Sequence, residues 1–200
     1  MRVVAGRLRG RALKAPAGDA TRPTGARVKE ALFSILSDVS DARVLDLYSG
    51  SGALGIEALS RGAARVVFVE AARPALACLR QNLETLALTQ QSQIVPLRVE
   101  SALKQLAPSA PFDLVLCDPP WRDVPTAVAA LEALATAGLF SAAVRVVLEH
   151  SARTPPPPPP GGGPGKNSLF VADQRSWGDT GVTLFGLGPG PADVPGANRA

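Results

Sequence analysis

Asp118-Pro119-Pro120-Trp121 sets a carboxylate, two residues without backbone N–H groups and a wide π-face in four consecutive positions. The prolines stiffen the loop and leave carbonyl acceptors unopposed by donors. Such a loop suits an amino group that donates hydrogens. An exocyclic amine on a nucleobase is a poor nucleophile because its lone pair is delocalised into the ring. Acceptors that hold its hydrogens and turn the lone pair out of conjugation make it more reactive. Asp118 and the Pro119 carbonyl are the candidate acceptors. Trp121 is the candidate platform for an unstacked base, a contact commonly worth about 1–3 kcal/mol. A base used in this way must be single-stranded or flipped from its helix. Taken alone, the four residues also fit a proline-stiffened turn with a tryptophan in the core.

A second constellation lies upstream. Gly50-Ser51-Gly52-Ala53-Leu54-Gly55 satisfies G-x-G-x-x-G between an apolar run and a helical pattern, the context in which that motif carries meaning. Glycines there let the backbone approach a ligand and leave a helix N-terminus open. Glu70, eighteen positions after Gly52, closes the next apolar run and is placed to accept ribose hydroxyls. These features describe an adenosine-containing cofactor, either a nicotinamide dinucleotide or S-adenosylmethionine. Asp46 favours the second, because its charge would repel a pyrophosphate and attract a cationic amino group. A dehydrogenase also normally carries its substrate on additional structure, for which the chain has little room. Candidate cofactor contacts are Asp46, Tyr48, Ser49, Gly50, Gly52, Glu70 and Ala71. Glu100 and Ser101, after a third strand, are further candidates. A glycine-rich turn with a surface acid after each strand is the plain structural alternative.

The elements that must position these residues follow from periodicity. Short β-rich runs alternate with amphipathic stretches from Arg43 to His150, the pattern of successive βαβ units around a parallel sheet. Strands are expected at Arg43–Tyr48, Val66–Val69, Ile94–Val99, Phe112–Cys117 and Val144–Leu148. Helices are expected from Ala53 to Arg61, from Pro74 through Leu76, Leu79, Leu83 and Leu86, and through Val124, Val128, Leu131 and Leu134. Thr154 to Lys166 interrupts this pattern with six consecutive prolines and a glycine-rich stretch, which reads as an exposed, extended insertion. Leu169–Val171 and Val182–Phe185 flank Gly178-Asp179 and read as an antiparallel hairpin, followed by a frayed tail over 186–200.

Two hundred residues, 46% of them hydrophobic, suffice for one substantial core. The net charge of +4 is unevenly spread: Arg2, Arg7, Arg9, Arg11, Lys14, Arg22, Arg27 and Lys29 precede residue 30, opposed only by Asp19. That concentration favours a polyanionic partner through counterion release, or is a solvated basic terminus. Arg7, Arg9, Arg11, Arg22, Thr24 and Arg27 are the candidate RNA contacts. Cys78 and Cys117 lie in apolar runs without metal-ligand spacing and read as reduced core residues, so no metal is expected. No apolar stretch approaches a membrane span and no signal core precedes the polar N-terminus, which points to the cytoplasm. His150, the lone histidine, reads as structural, as does Trp177.

The glycine turn and the Asp-Pro-Pro-Trp segment together resemble Rossmann-like methyltransferases that act on amino nitrogens. Gly10-Arg11, Thr21-Arg22-Pro23-Thr24, Arg27-Val28-Lys29-Glu30-Ala31-Leu32-Phe33, the run from Val44 to Ala63 and Trp177-Gly178-Asp179-Thr180 narrow the match. They resemble the bacterial family that methylates the exocyclic N2 amine of a guanine in 16S rRNA. The resemblance implies an α/β fold with a seven-stranded, mostly parallel sheet, a C-terminal antiparallel hairpin and a basic N-terminal extension. In that reading residues 1–41 form the extension and its helix, and 42–185 the methyltransferase domain, with 154–166 inserted. It further implies S-adenosyl-L-methionine as cofactor, a monomer, and 16S rRNA within the small ribosomal subunit or its assembly intermediate as substrate. Asp46, Gly50, Gly52 and Glu70 then map to the cofactor cleft, and Asp118, Pro119, Pro120 and Trp121 to the base pocket. The sequence departs from the family pattern in three places. Trp121 stands where tyrosine is commoner, Ser101 where an acid or amide is, and the Pro/Gly insertion is extra. Methylation of a DNA adenine or cytosine amine, or a non-catalytic RNA-binding or assembly module, remain the alternatives.

Overall fold

Residues 1–16, 25–160 and 167–188 are described by a computed structural model. The apolar runs become β1 (Arg43–Leu47), β2 (Arg65–Val69), β3 (Ser92–Val95), β4 (Phe112–Cys117) and β5 (Phe140–Ser151), with β6 (Leu169–Trp177) and β7 (Thr180–Leu187) closing the series. They form one sheet in the order β3-β2-β1-β4-β5-β7-β6. β1 to β5 pair in parallel, and β7 runs antiparallel to both β5 and β6. The expected α/β architecture, with seven strands and a C-terminal hairpin, is present.

The helices are α1 (Ala26–Leu36), α2 (Ala53–Ser60), α3 (Arg73–Thr85), α4 (Leu103–Leu106) and α5 (Val124–Thr136). Side chains alternate across a strand, so each central strand feeds two cores. Val44, Val66, Phe68, Leu114 and Leu116 pack with Leu32, Phe33, Ile56, Leu59, Leu79 and Leu83 of α1, α2 and α3. Leu45, Leu47, Val67, Val69, Val115 and Cys117 pack on the opposite face with Leu106, Val128, Leu131 and Leu134. Burial on both faces explains why these strands read as near-continuous apolar runs. The strand order places its change of direction between β1 and β4, where open α/β sheets bind ligands.

Several boundaries differ from the expectations, each for an identifiable reason. The third strand is Ser92–Val95, not Ile94–Val99, because Pro96 cannot donate to the ladder, and Val99–Ser101 coil into a 3-10 turn. Tyr48 does not extend β1: its φ of 56° turns the chain out of the strand. β5 and both hairpin strands are longer than their apolar centres, since their ends pair with neighbours while partly exposed. The proline tract is not exposed throughout, because Pro159 is buried and Pro156 half-buried. That spacing of three is the period of an extended polyproline chain lying with one edge against a surface. Cys78 is only partly covered, whereas Cys117 is buried.

The basic N-terminus is docked on the body. Arg2 bridges Ala12, with backbone bonds from Val3 to Arg11 and from Leu13 to Met1, so residues 1–13 fold back on themselves. The Val4 and Ala5 N–H groups donate to the Glu57 carboxylate at 2.8 and 2.9 Å. Ser60 Oγ accepts from Leu8 N–H at 2.9 Å and donates to the Ala5 carbonyl. Lys29 is no solvated cation: it is 2% exposed, donates to the Arg2 carbonyl at 2.9 Å and lies 3.8 Å from Glu57. Burial pulls its pKa down, and the Glu57 charge partly opposes that. Arg145 donates to the Leu36 and Asp38 carbonyls, satisfying the end of α1. Among the described residues no helix is long and apolar enough to cross a membrane.

Candidate active site

In register, Leu47 of β1 lies beside Val69 of β2 and Cys117 of β4. The residues that follow these three strand ends therefore emerge side by side: the Tyr48–Gly52 turn, Glu70, and Asp118 onward. The Asp118 N–H continues the β1–β4 pairing to the Leu47 carbonyl at 3.4 Å. Topology thus brings together the two constellations, which stand some seventy residues apart in sequence.

The glycine turn is built from backbone groups held by distant side chains. Gly52 caps α2 with φ 82°, and a side-chain carbon there would meet Leu79 at 2.5 Å. Gly55 is as constrained, since an added carbon would lie 2.4 Å from Phe68 and 2.8 Å from Asp46 Oδ2. That closeness lets the Gly55 N–H donate to Asp46 at 2.9 Å. Glu70 Oε2 accepts from Gly50 N–H at 2.8 Å, and Oε1 accepts from Ala71 and Ala72 at 2.9 and 2.7 Å. Glu70 therefore shapes the turn itself, and Oε2 retains a lone pair for a hydroxyl donor.

Asp46 is 1% exposed, and its pKa is pushed up to about 8 by burial. The Gly55 hydrogen bond opposes that rise, and the negative charges of Asp118 and Glu70 add to it. Burial thus favours the protonated carboxyl, and a cation placed beside it would favour the carboxylate. Ser49 Oγ is buried without a hydrogen-bond partner. An orphaned hydroxyl of this kind costs roughly 1–3 kcal/mol until a partner is supplied. Together, the orphan and the acid cluster fit a ligand that is cationic at one end and bears hydroxyl groups.

Across the crevice, Pro119 is buried, Asp118 half-buried, and Pro120 exposed. Trp121 is 42% exposed, a large apolar face left to solvent beside the strand ends. The loop is pinned beyond it by Asp123 N–H donating to the Pro120 carbonyl at 2.7 Å. Tyr48 Oη donates to Glu100 at 3.4 Å, which brings Glu100 to the turn, while Ser101 is exposed on its 3-10 turn. Burial and the nearby Cys117 and Glu100 raise the Tyr48 pKa, so the phenol stays protonated and remains a donor.

The candidate RNA contacts divide. Arg9 and Arg27 are exposed. Arg7 is held by Gln91 at 2.5 Å and by the Leu59 carbonyl, and Arg11 reaches the Thr85 carbonyl at 3.5 Å. Arg22 and Thr24 lie outside the described residues. His150 is buried between the Ser151 carbonyl at 2.8 Å and Thr183 Oγ1 at 3.0 Å, and Trp177 packs on the α1–α3 core. Among the described residues no group of His, Cys, Asp or Glu could hold a metal ion.

Three residues that support the site were not singled out from the sequence: Glu57, Ser60 and Asn82. Asn82 is 3% exposed on α3, one turn from Leu79 and from Leu86, so a polar residue on an otherwise apolar stripe was its signal. Its Nδ2 donates to the Ser51 carbonyl at 2.9 Å and ties the glycine turn to α3.

Residues 1–185 match the family described as conserved hypothetical protein 95. YlbH of Bacillus subtilis is 43% identical over 125 residues, which span 62% of this chain and 68% of that protein. Ribosomal RNA small subunit methyltransferase D of Escherichia coli K12 is 42% identical over 123 residues, 61% of each chain. Among solved structures, yhhF of E. coli superposes with a TM-score of 0.76 at 30% identity, covering 94% of this chain and 98% of that one. The family match takes in the docked N-terminus, both loops and the terminal hairpin, and the chain, with its class I methyltransferase fold, belongs to this family.

Proposed function

We propose that the chain transfers a methyl group from S-adenosyl-L-methionine to the exocyclic N2 amine of a guanine in 16S rRNA of the small ribosomal subunit. The observation that carries this reading is the juxtaposition of the glycine turn and Asp118–Trp121 at adjoining strand ends. The resemblance to ribosomal RNA small subunit methyltransferase D supports the choice of RNA.

Asp46 and the Ser49 hydroxyl would hold the amino acid end of the cofactor, Gly50 would admit close approach to its backbone while Gly52 lets the turn pack on Leu79, and Glu70 with the Ala71 segment would take the ribose. Glu100, tied to Tyr48, is the better candidate for the adenine side, with Ser101 beside it. When bound, S-adenosylmethionine supplies a methyl group on a positively charged sulfur, open to displacement by an amine. The chain's part is positioning. Trp121 stacks the unstacked base, and Asp118 and the Pro119 carbonyl accept the amine's hydrogens and turn its lone pair outward. Pro119 and Pro120 bring no backbone N–H of their own to compete for these acceptors. Methyl transfer of this type gains most of its acceleration from such orientation and fixed charge. Arg9 and Arg27, with Arg7, Arg11, Arg22 and Thr24 on the same N-terminal segment, are the proposed phosphate contacts.

Incubation with methyl-labelled S-adenosylmethionine and unmodified small-subunit particles tests the proposal. Label is expected in the rRNA. Label confined to protein or to added DNA overturns it.

A further inference from the structure

The docked N-terminus and the glycine turn share one side chain. Asn82 Oδ1 accepts the Lys14 N–H at 2.9 Å, and Nδ2 donates to the Lys14 carbonyl at 3.0 Å. The second Nδ2 hydrogen goes to the Ser51 carbonyl at 2.9 Å. A carboxamide carries both donors and the acceptor that this arrangement uses. Aspartate lacks the donors when ionised, serine has one, and alanine has none. Asparagine is also a weak helix former, less favourable than alanine by several tenths of a kcal/mol within a helix. Its place inside α3 is explained by these three bonds to segments far away in sequence.

The remaining anchors point the same way. The N-terminal segment is fixed to Glu57 and Ser60 of α2 and to Asn82 of α3, the two helices that flank the glycine turn. α3 also contacts the turn directly, with Leu79 lying where a side chain on Gly52 would be. Ser51 stands between Gly50, held by Glu70, and Gly52, which caps α2. A peptide reorientation at Ser51 therefore moves the acceptor of a carboxamide that also holds Lys14. Among the described residues Lys14 is gripped through its backbone, and its side chain is exposed, as are those of Arg9 and Arg11.

We propose that Asn82 is a positioning residue that couples the two binding events: occupancy of the glycine turn by the cofactor and engagement of RNA by the basic N-terminal segment strengthen one another through it. This rests on the function proposed above. Linkage requires the effect to be reciprocal, so cofactor must tighten RNA binding by the factor by which RNA tightens cofactor binding.

The test measures binding of unmodified small-subunit particles to the full chain with and without saturating S-adenosylhomocysteine. In the wild type the ligand is expected to tighten particle binding by about 5-fold or more, the lower end of typical coupling. In Asn82→Ala the ratio is expected to fall to about 1, the value for uncoupled sites. Lys14→Pro provides a second route, since it deletes the N–H bound by Oδ1 and leaves the Ser51 bond in place. It is expected to lower the ratio without changing the affinity for S-adenosylhomocysteine alone. Loss of the Lys14 charge weakens particle binding equally in both arms and so leaves the ratio free of it. Thermal melts identify the folded variants, and if Asn82→Ala does not fold, Lys14→Pro decides. A wild-type ratio of 1, or an unchanged ratio in the folded variants, overturns the coupling while leaving the methyl transfer reading intact. A wild type that methylates no rRNA and binds no S-adenosylhomocysteine removes the functional reading itself.

Discussion

The two loops that meet at the crevice are built in opposite ways. The glycine turn is over-determined: Glu70 holds Gly50, Asp46 holds Gly55, Asn82 holds Ser51, and Ser49 is buried with its hydroxyl unmatched. The Asp118–Trp121 loop carries a 3.4 Å backbone bond at Asp118 and a 2.7 Å one beyond Trp121, with two prolines stiffening the stretch between them. One loop is shaped before any ligand arrives; the other offers acceptors and an exposed ring. The difference suits a small cofactor with fixed geometry on one side and a base brought in on a large polyanion on the other.

The variants that test this division run from large effects to small. Asp118→Ala should lower kcat by about 100-fold or more, the usual loss when a preorganised electrostatic contact is removed. Affinity for S-adenosylhomocysteine should be largely retained, since the hydrogen bonds that hold the glycine turn come from Glu70, Asp46 and Asn82, and Asp118 acts on Asp46 only through its charge. Measured loss of cofactor binding would dissolve the distinction between the loops. Trp121→Ala should raise KM for the particle by about 5- to 150-fold, from the 1–3 kcal/mol of a stacked base, with kcat less affected. Trp121→Tyr should restore most of the loss.

On the cofactor side, Asp46 makes a prediction about protons. Its folded pKa of about 8 lies above the ordinary carboxyl value, so free protein at pH 7 holds a proton there. Binding of a cationic amino group favours the carboxylate, and calorimetry at pH 7 in buffers of different ionisation heat should find close to one proton released. Asp46→Asn should abolish the release. The sign for stability follows from the same shift. Between the ordinary carboxyl pKa and about 8 the native state binds more protons than the unfolded one, so this group's contribution to stability falls as pH rises through that window. The melting temperature of Asp46→Asn relative to wild type should therefore rise with pH. The smallest effect is expected from Ser49→Ala. Removing a buried unpartnered hydroxyl should stabilise the free protein by about 1 kcal/mol and weaken cofactor binding. Equal destabilisation of both states would place the hydroxyl outside the cofactor site.

What the sequence disclosed follows the same division of labour. Local patterns exposed the central strands, because burial on both faces gives uninterrupted apolar runs, and exposed both motifs, because each occupies consecutive residues. Phe112–Cys117 was legible to the residue, whereas β3, an edge strand with three of its four residues only partly buried, starts two residues and ends four residues before the expected run. The anchors of the N-terminus were not legible, since they pair backbone groups of residues 4–14 with side chains of Glu57, Ser60 and Asn82. Such bonds leave no periodicity in either partner. Lys29 fits neither reading of the basic segment, polyanion contact or solvated terminus, for a related reason: only the fold brings Glu57 beside it. The assignment of Glu70 to a ribose was a single-role reading, and its grip on Gly50, Ala71 and Ala72 shows that it also builds the turn.

The most direct test of the central claim is nucleoside mass spectrometry of 16S rRNA from unmodified small-subunit particles treated with the protein and S-adenosylmethionine. The account predicts one new methyl group, on the N2 amine of a guanine, absent when Asp118→Ala replaces the wild type. A methyl group on a ring nitrogen, a ribose or a different base, or an unchanged yield with Asp118→Ala, would contradict it.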